Sequence, residues 1–395
     1  MILLWLLAAA PGCAHRAPAP PTALAARAPR APLDPACKAA LEAGAADLDV
    51  AVRRDAIAAL LAADPTPAGG EWGQRGRFDP SEYVQRATVA ELGARLDEPA
   101  ARALLRTLVD DAGVSPWVRG AAAIPLARGV RDGGVPADER EADRARLTAA
   151  AAQVTGGRGG ALLLAAAIAG DTAGHPDPAA ARLADQLAAG NLPMELWFFR
   201  AIGESGVGSL VAPLTTALER VEPEIQLALA AALLELGGPA GERALVAALA
   251  EGGDRALEAL EYLADARSPA ADVILEGALA GPPGVGDTAA LVLFGRGRGD
   301  LRDVLRQLAE GEPDGRLLAA LAAGRRLRRE PTIDGGDRLR AALRSGLPEA
   351  APGLQLAAIE ALGGSGVAAD QAALTTLLAD ESVRIRVAAA VALAR

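Results

Sequence analysis

Few residues in this 395-residue chain could carry covalent or metal chemistry. There are two Cys (Cys13 and Cys37), two His (His15 and His175) and a single Lys, Lys38. Four such Cys and His, scattered in sequence, cannot furnish a four-ligand zinc site or a disulfide framework. Nucleophilic catalysis needs a Ser or Cys with a base in reach, yet one His falls in a Pro-rich stretch and the other in a Gly-Pro loop. A Walker loop needs a Lys in Gly-rich context, which Lys38 lacks. Gly295-Arg296-Gly297-Arg298-Gly299 resembles a nucleotide loop by letter, but it joins two helical stretches with no strand before it. Carboxylates are plentiful and spacing singles out no pair. The chain is therefore read as no enzyme, with no cofactor, no metal and no catalytic residue. Binding chemistry is concentrated in two places. Trp72 and Phe78 stand beside Arg75 and Arg77, the aromatic-plus-arginine composition of binding hot spots, with a cap folded over the repeat edge as the alternative. Arg325, Arg326, Arg328 and Arg329 could grip carboxylates or phosphates, or else form a solvated helix end. They lie in a segment, Gly295 to Ser345, whose twelve Arg and eight Asp or Glu give +4 in a chain of net charge -10.

The elements that hold these residues follow from composition. Half the chain is apolar, mostly Ala and Leu, and only 3% is aromatic, which points to helices packed on helices. The acidic balance opposes the attraction of duplex nucleic acid for basic proteins, so no nucleic-acid partner is expected. Residues Ile2 to Ala10 form an apolar run too short for a bilayer, which takes about 20 residues, and of signal-peptide length. It ends at Ala10-Pro11-Gly12-Cys13, which resembles a bacterial lipoprotein signal. That resemblance implies cleavage after residue 12 and a lipid anchor on Cys13. It makes the chain an exported, membrane-anchored lipoprotein, at the outer membrane or periplasmic face if the cell has two membranes. Residues 13–36 are rich in Pro and Ala and read as an extended tether.

From residue 37 to 395 one helical pattern recurs: apolar, Arg or Gln, then small and apolar residues, then Leu. Val52-Arg53 with Ala56, Ile57, Ala59 and Leu60 matches Ile385-Arg386 with Ala389, Ala390, Ala392 and Leu393. Val118-Arg119 and Leu354-Gln355 begin two further clear copies, and weaker ones start near Val84, Ala161, Trp197, Ile225, Arg255, Val285 and Gly315. Leu-Gly pairs and turn Asp residues punctuate them. The repeats resemble the HEAT-like (PBS-lyase-type) family. The resemblance implies an all-α solenoid of about eleven helical hairpins, with Arg53, Arg119 and Arg386 bonding a neighbouring Asp or turn carbonyls. At residues 64–80 repeated Pro and Gly predict a loop in place of an outer helix. The chain ends inside a repeat helix, so an open last face and end-to-end self-association are expected. Cys37 reads as a small buried residue of the first helix. The function this implies is a scaffold in the cell envelope that binds a protein partner, its identity unknown, on its concave face. Two alternatives stand beside it: a HEAT-like enzyme of bilin-lyase or base-excision type, and an organiser of anionic head groups at a membrane surface.

Overall fold

A computed structural model describes residues 33–155, 157–170, 178–189, 196–282, 284–348 and 351–395. Among them all regular structure is helical. Twenty-two α-helices alternate between two rows. The odd-numbered row is α1 Pro35–Gly44, α3 Gly70–Arg77, α5 Pro99–Asp110, α7 Ala137–Ala152, α9 Pro178–Ala188, α11 Val211–Leu218, α13 Pro239–Glu251, α15 Ala270–Ala278, α17 Leu301–Glu310, α19 Gly336–Gly346 and α21 Ala368–Thr376. The even-numbered row is α2 Val50–Ala63, α4 Glu82–Gly93, α6 Pro116–Asp132, α8 Gly160–Gly170, α10 Leu196–Gly203, α12 Pro223–Glu235, α14 Gly253–Asp265, α16 Val285–Gly295, α18 Pro313–Arg329, α20 Pro352–Leu362 and α22 Val383–Ala394. Each start of the recurring pattern falls in an even-numbered helix. Contacts that skip a pair, such as Arg325 to Asp265 and Arg128 to Glu204, run through the even row, which is therefore the inner one.

Successive inner helices pack side by side except at the step from α8 to α10, and the row returns to its beginning: α22 lies against both α1 and α2. Val387 and Ala390 of α22 are buried with Cys37, Leu41, Ala56 and Ile57 in one apolar cluster. A Cβ on Gly44 would stand 2.3 Å from Val387 Cγ2, so the Val387 side chain packs directly on the α1 backbone. The last face, expected to be open, is covered by the first pair. Cys37 is buried there, and burial raises its thiol pKa.

The two rows are held by different forces. The inner row uses small residues, as ridges packing at about 8–10 Å require. Cβ atoms on Gly93, Gly295, Gly324 and Gly363 would crowd Pro125, Ala322, Ala361 and Ala392 of the next inner helix. The Leu-Gly pairs at 92–93 and 362–363 are thus close approaches as well as helix ends. Trp197 of α10 stands edge-on to Trp117 of α6, with ring centroids 5.4 Å apart. Two steps of the outer row are tied by charge. Arg102 and Arg106 of α5 grip Glu139 and Asp143 of α7, and Arg340 and Arg344 of α19 grip the buried Asp370 of α21.

Each outer helix antiparallel to its inner partner defines two rims. At the first rim outer helices end and inner ones begin, through turns such as 45–49, 78–81 and 111–115. At the second rim inner helices end, leaving carbonyls unsatisfied. The buried Arg95 reaches back to Leu61 O and to Asp64 O (2.7 Å), and Arg296 to Ala266 O and Leu263 O (3.1 Å). The chain arrives at this second rim, where Asp34 caps α1 by accepting from Ala36 N at 2.8 Å.

Residues 64–80 differ from the expected loop. They contain a 3-10 turn, Pro67–Gly69, and the helix α3. The glycines are packing points within that helix: a Cβ on Gly73 would lie 2.2 Å from Ala68 O, and one on Gly76 2.0 Å from Thr88 Oγ1.

Candidate functional site

At the first rim, Arg53 draws two successive turns together. Its Nη1 donates to Asp47 O at 2.7 Å and Leu48 O at 3.3 Å, while Nε and Nη2 hold both oxygens of the buried Asp79 at 2.7 and 3.1 Å. The bond to Asp79 raises the guanidinium pKa above its ordinary value. With Asp79 and the Arg53 guanidinium turned inward, these turns still present apolar side chains outward. Leu48 is 95% exposed, Phe78 69% and Tyr83 56%, with Val50 beside them at the start of α2 and Leu196 at the start of α10. Nine large apolar side chains are exposed among the described residues, and these are five of them. Singly scattered exposure needs no explanation, whereas a concentration on one rim marks a contact surface.

Guanidinium groups lie over the aromatic rings of this rim. Arg77 is 4.7 Å from the Phe78 centroid, and Arg86 is 4.7 Å from Tyr83 and 5.1 Å from Trp197. Tyr83 and Arg86 meet because residues three apart on a helix are neighbours. Arg86 then bridges α4 to α10. Such stacks keep an apolar body and a charged edge at one place, the mixture found at interface anchors.

The residues singled out in the sequence divide. Phe78 belongs to the rim. Trp72 is half-buried, packed between the first apolar clusters with Arg75 5.4 Å from its ring, and holds α3 in place. The four arginines come close together, but each guanidinium is engaged within the fold. Arg325 pairs with Asp265 (3.1 Å), Arg326 with Glu330 (2.7 Å), Arg328 with Glu360 (3.4 Å), and Arg329 donates to Arg296 O (2.8 Å). Burial lowers the pKa of Arg328 and Arg329. The cluster stitches α14, α16, α18 and α20 together. Cys13, His15 and His175 lie outside the described residues.

On α14, Glu258, Glu261 and Tyr262 line one helical face, and burial raises the pKa of each. Among the described residues no group of three or more His, Cys, Asp or Glu could hold a metal ion, and no helix is long and apolar enough to cross a membrane. Tyr83, Arg86 and Leu48 escape a reading of sequence alone. Their one signal is Tyr83-x-x-Arg86 in a chain with two Tyr in all. No family model and no curated protein matches the chain.

Proposed function

We propose that the chain is a non-catalytic scaffold of the cell envelope, built as a HEAT-like array of helical hairpins closed on itself, that binds a protein partner at its first rim. The observation that carries this reading is the gathering of Leu48, Val50, Phe78 and Tyr83 at the turns tied by Arg53 and Asp79, with Leu196 exposed at the start of α10 on the same rim. The contact surface moves accordingly from the concave face to the rim. Cys13 supplies the lipid anchor, and the tether of residues 13–36 joins the array at the second rim. The aromatic rim then faces away from the membrane, where a partner can reach it.

A photo-crosslinking residue at Phe78, in the full chain expressed in its own host, tests the contact. Position Val246, exposed on α13, serves as the comparison. One adduct is expected from position 78 that is absent from position 246 and lost on Tyr83→Ser. The same adducts from both positions would remove the rim from consideration. Intact mass of the same material, beside Cys13→Ala, reports the anchor separately.

A further inference from the structure

A cavity of about 390 Å³ opens near the first rim, between the ends of α5 and α7 and the beginning of α6. Val109, Asp110, Arg119, Arg146 and Gln153 bound it, and the exposed side chains of Ala142, Ala145 and Ala149 on α7 form a shallow floor open to solvent. Its size lies within the range of small-molecule sites, about 300–1,000 Å³.

Arg119 is the fourth residue of α6, as Arg53 is of α2 and Arg386 of α22. In those two helices Nη1 donates to carbonyls of the preceding turn: Asp47 and Leu48 in one, Asp380 and Glu381 in the other. Arg119 departs from this pattern. Its Nε donates to Val109 O at 3.0 Å, and no acceptor among the described residues takes its two terminal nitrogens. Arg146, across the cavity, is satisfied by Asp110 (2.9 Å) and Asp143 (2.7 Å). Asp110 is thereby neutralised, and Arg119 is the one uncompensated charge on the wall. A planar guanidinium with two free donors matches a carboxylate in a two-pronged pair.

We propose that this cavity binds a carboxylate carried on a short aliphatic group, the carboxylate on the Arg119 terminal nitrogens and the aliphatic part on the alanine floor. Two sources share that chemistry: the C-terminus of a peptide ending in an aliphatic residue, and a free short-chain acid. The inference stands on the cavity and does not depend on the aromatic rim.

Calorimetric titration of the full chain with N-acetyl-leucine, N-acetyl-leucinamide and butyrate tests it. N-acetyl-leucine or butyrate binds, and the amide, lacking the charge, binds at least about tenfold more weakly, as loss of a charge-assisted hydrogen bond implies. Arg119→Gln lowers the affinity by a similar factor. Ala145→Leu, at an exposed floor position, blocks the cavity without touching Arg119 and leaves the melting temperature in place. Preference for N-acetyl-leucine identifies a peptide end, and preference for butyrate a free acid. Absence of binding by both acids at about 10 mM, or binding indifferent to Arg119→Gln in a variant that melts normally, overturns the proposal.

Discussion

Closure of the inner row makes a prediction whose sign changes with background. Gly44→Ala should destabilise the native chain, because its Cβ would stand 2.3 Å from Val387 Cγ2 and 3.1 Å from Ala56 Cβ. Overpacking of this kind costs about 1–3 kcal/mol. Val387→Ala deletes two methyl groups from a side chain only 2% exposed. The transfer loss is about 0.8 kcal/mol for each carbon, and the residual cavity adds to it, for a total of about 2–3 kcal/mol. In the double variant the new Cβ enters the space that Val387 vacated. Replacing a helical Gly by Ala then contributes up to about 1 kcal/mol of helix propensity. Gly44→Ala should therefore be neutral to stabilising on the Val387→Ala background, with a coupling energy of about 1–4 kcal/mol against the roughly 0.3–0.5 expected for independent sites. Urea unfolding followed by circular dichroism at fixed protein concentration measures all four corners of the cycle. Additive effects would mean that the first and last helices do not touch, and the closed arrangement would fall with them.

Other expectations concern the ties between pairs. Arg53→Ala should cost about 3 kcal/mol or more, because Asp79 is left buried without its partner, and Arg53→Ala with Asp79→Ala should cost less than the sum of the two. Equal additivity in chemical denaturation would show the pair to be uncoupled. Leu60→Ala, at a site 3% exposed, should cost about 2–5 kcal/mol, and Leu393→Ala, half-buried at the matching repeat position, clearly less. Equal losses would place the repeat register in error. The half-buried Glu261 has its pKa raised in the folded state by desolvation, so the fold binds more protons than the unfolded chain and loses stability as pH rises from the unfolded value of 4.5. Glu261→Gln should raise the melting temperature at pH 7 and match wild type below about pH 4. Glu139, lowered first by its hydrogen bonds from Arg102 and Arg106, runs the other way: its contribution is present above 4.5 and lost as pH falls through the depressed value. Melting curves of Glu139→Gln, with the deficit confined to the higher pH range, check the sign.

The helical pattern was legible because each inner helix must bury small residues on neighbours placed alike. All eleven pattern starts fall in inner helices, weak copies such as Gly315 included. Arg53 was legible as a tie to an Asp, since a half-buried guanidinium at the start of a helix needs acceptors, and the turns on either side supply them. Closure was not legible. It depends on the small rotation between successive pairs, summed over the whole array, and no local window carries that sum. The glycines of residues 64–80 misled for a related reason. Gly is unfavourable for an isolated helix, but Gly73 and Gly76 sit where a neighbour leaves no room for a Cβ, and contact outweighs propensity there. The arginines at 325–329 have the composition of an anion site, and only the positions of Asp265 and Glu360 on other helices show their charges to be answered within the fold. At the rim, Phe78 was visible by type, while Leu48, on the preceding turn of the rim, comes from a stretch whose sequence gives no hint of exposure.

The close approaches at the ends of the inner helices give the two rims different freedom to vary. Where Gly295, Gly324 and Gly363 let one backbone touch the next, almost any other residue forces neighbouring helices apart, and buried arginines from the adjoining turns fill what space remains. Substitutions there are paid for by the whole circuit. At the opposite rim Leu48, Phe78 and Tyr83 project into solvent from turns whose geometry is fixed by Arg53 and Asp79 beneath them. Their identities can drift without unsettling the helices. The molecule thus separates a face whose residues are fixed by contact from one whose side chains can change at little structural risk.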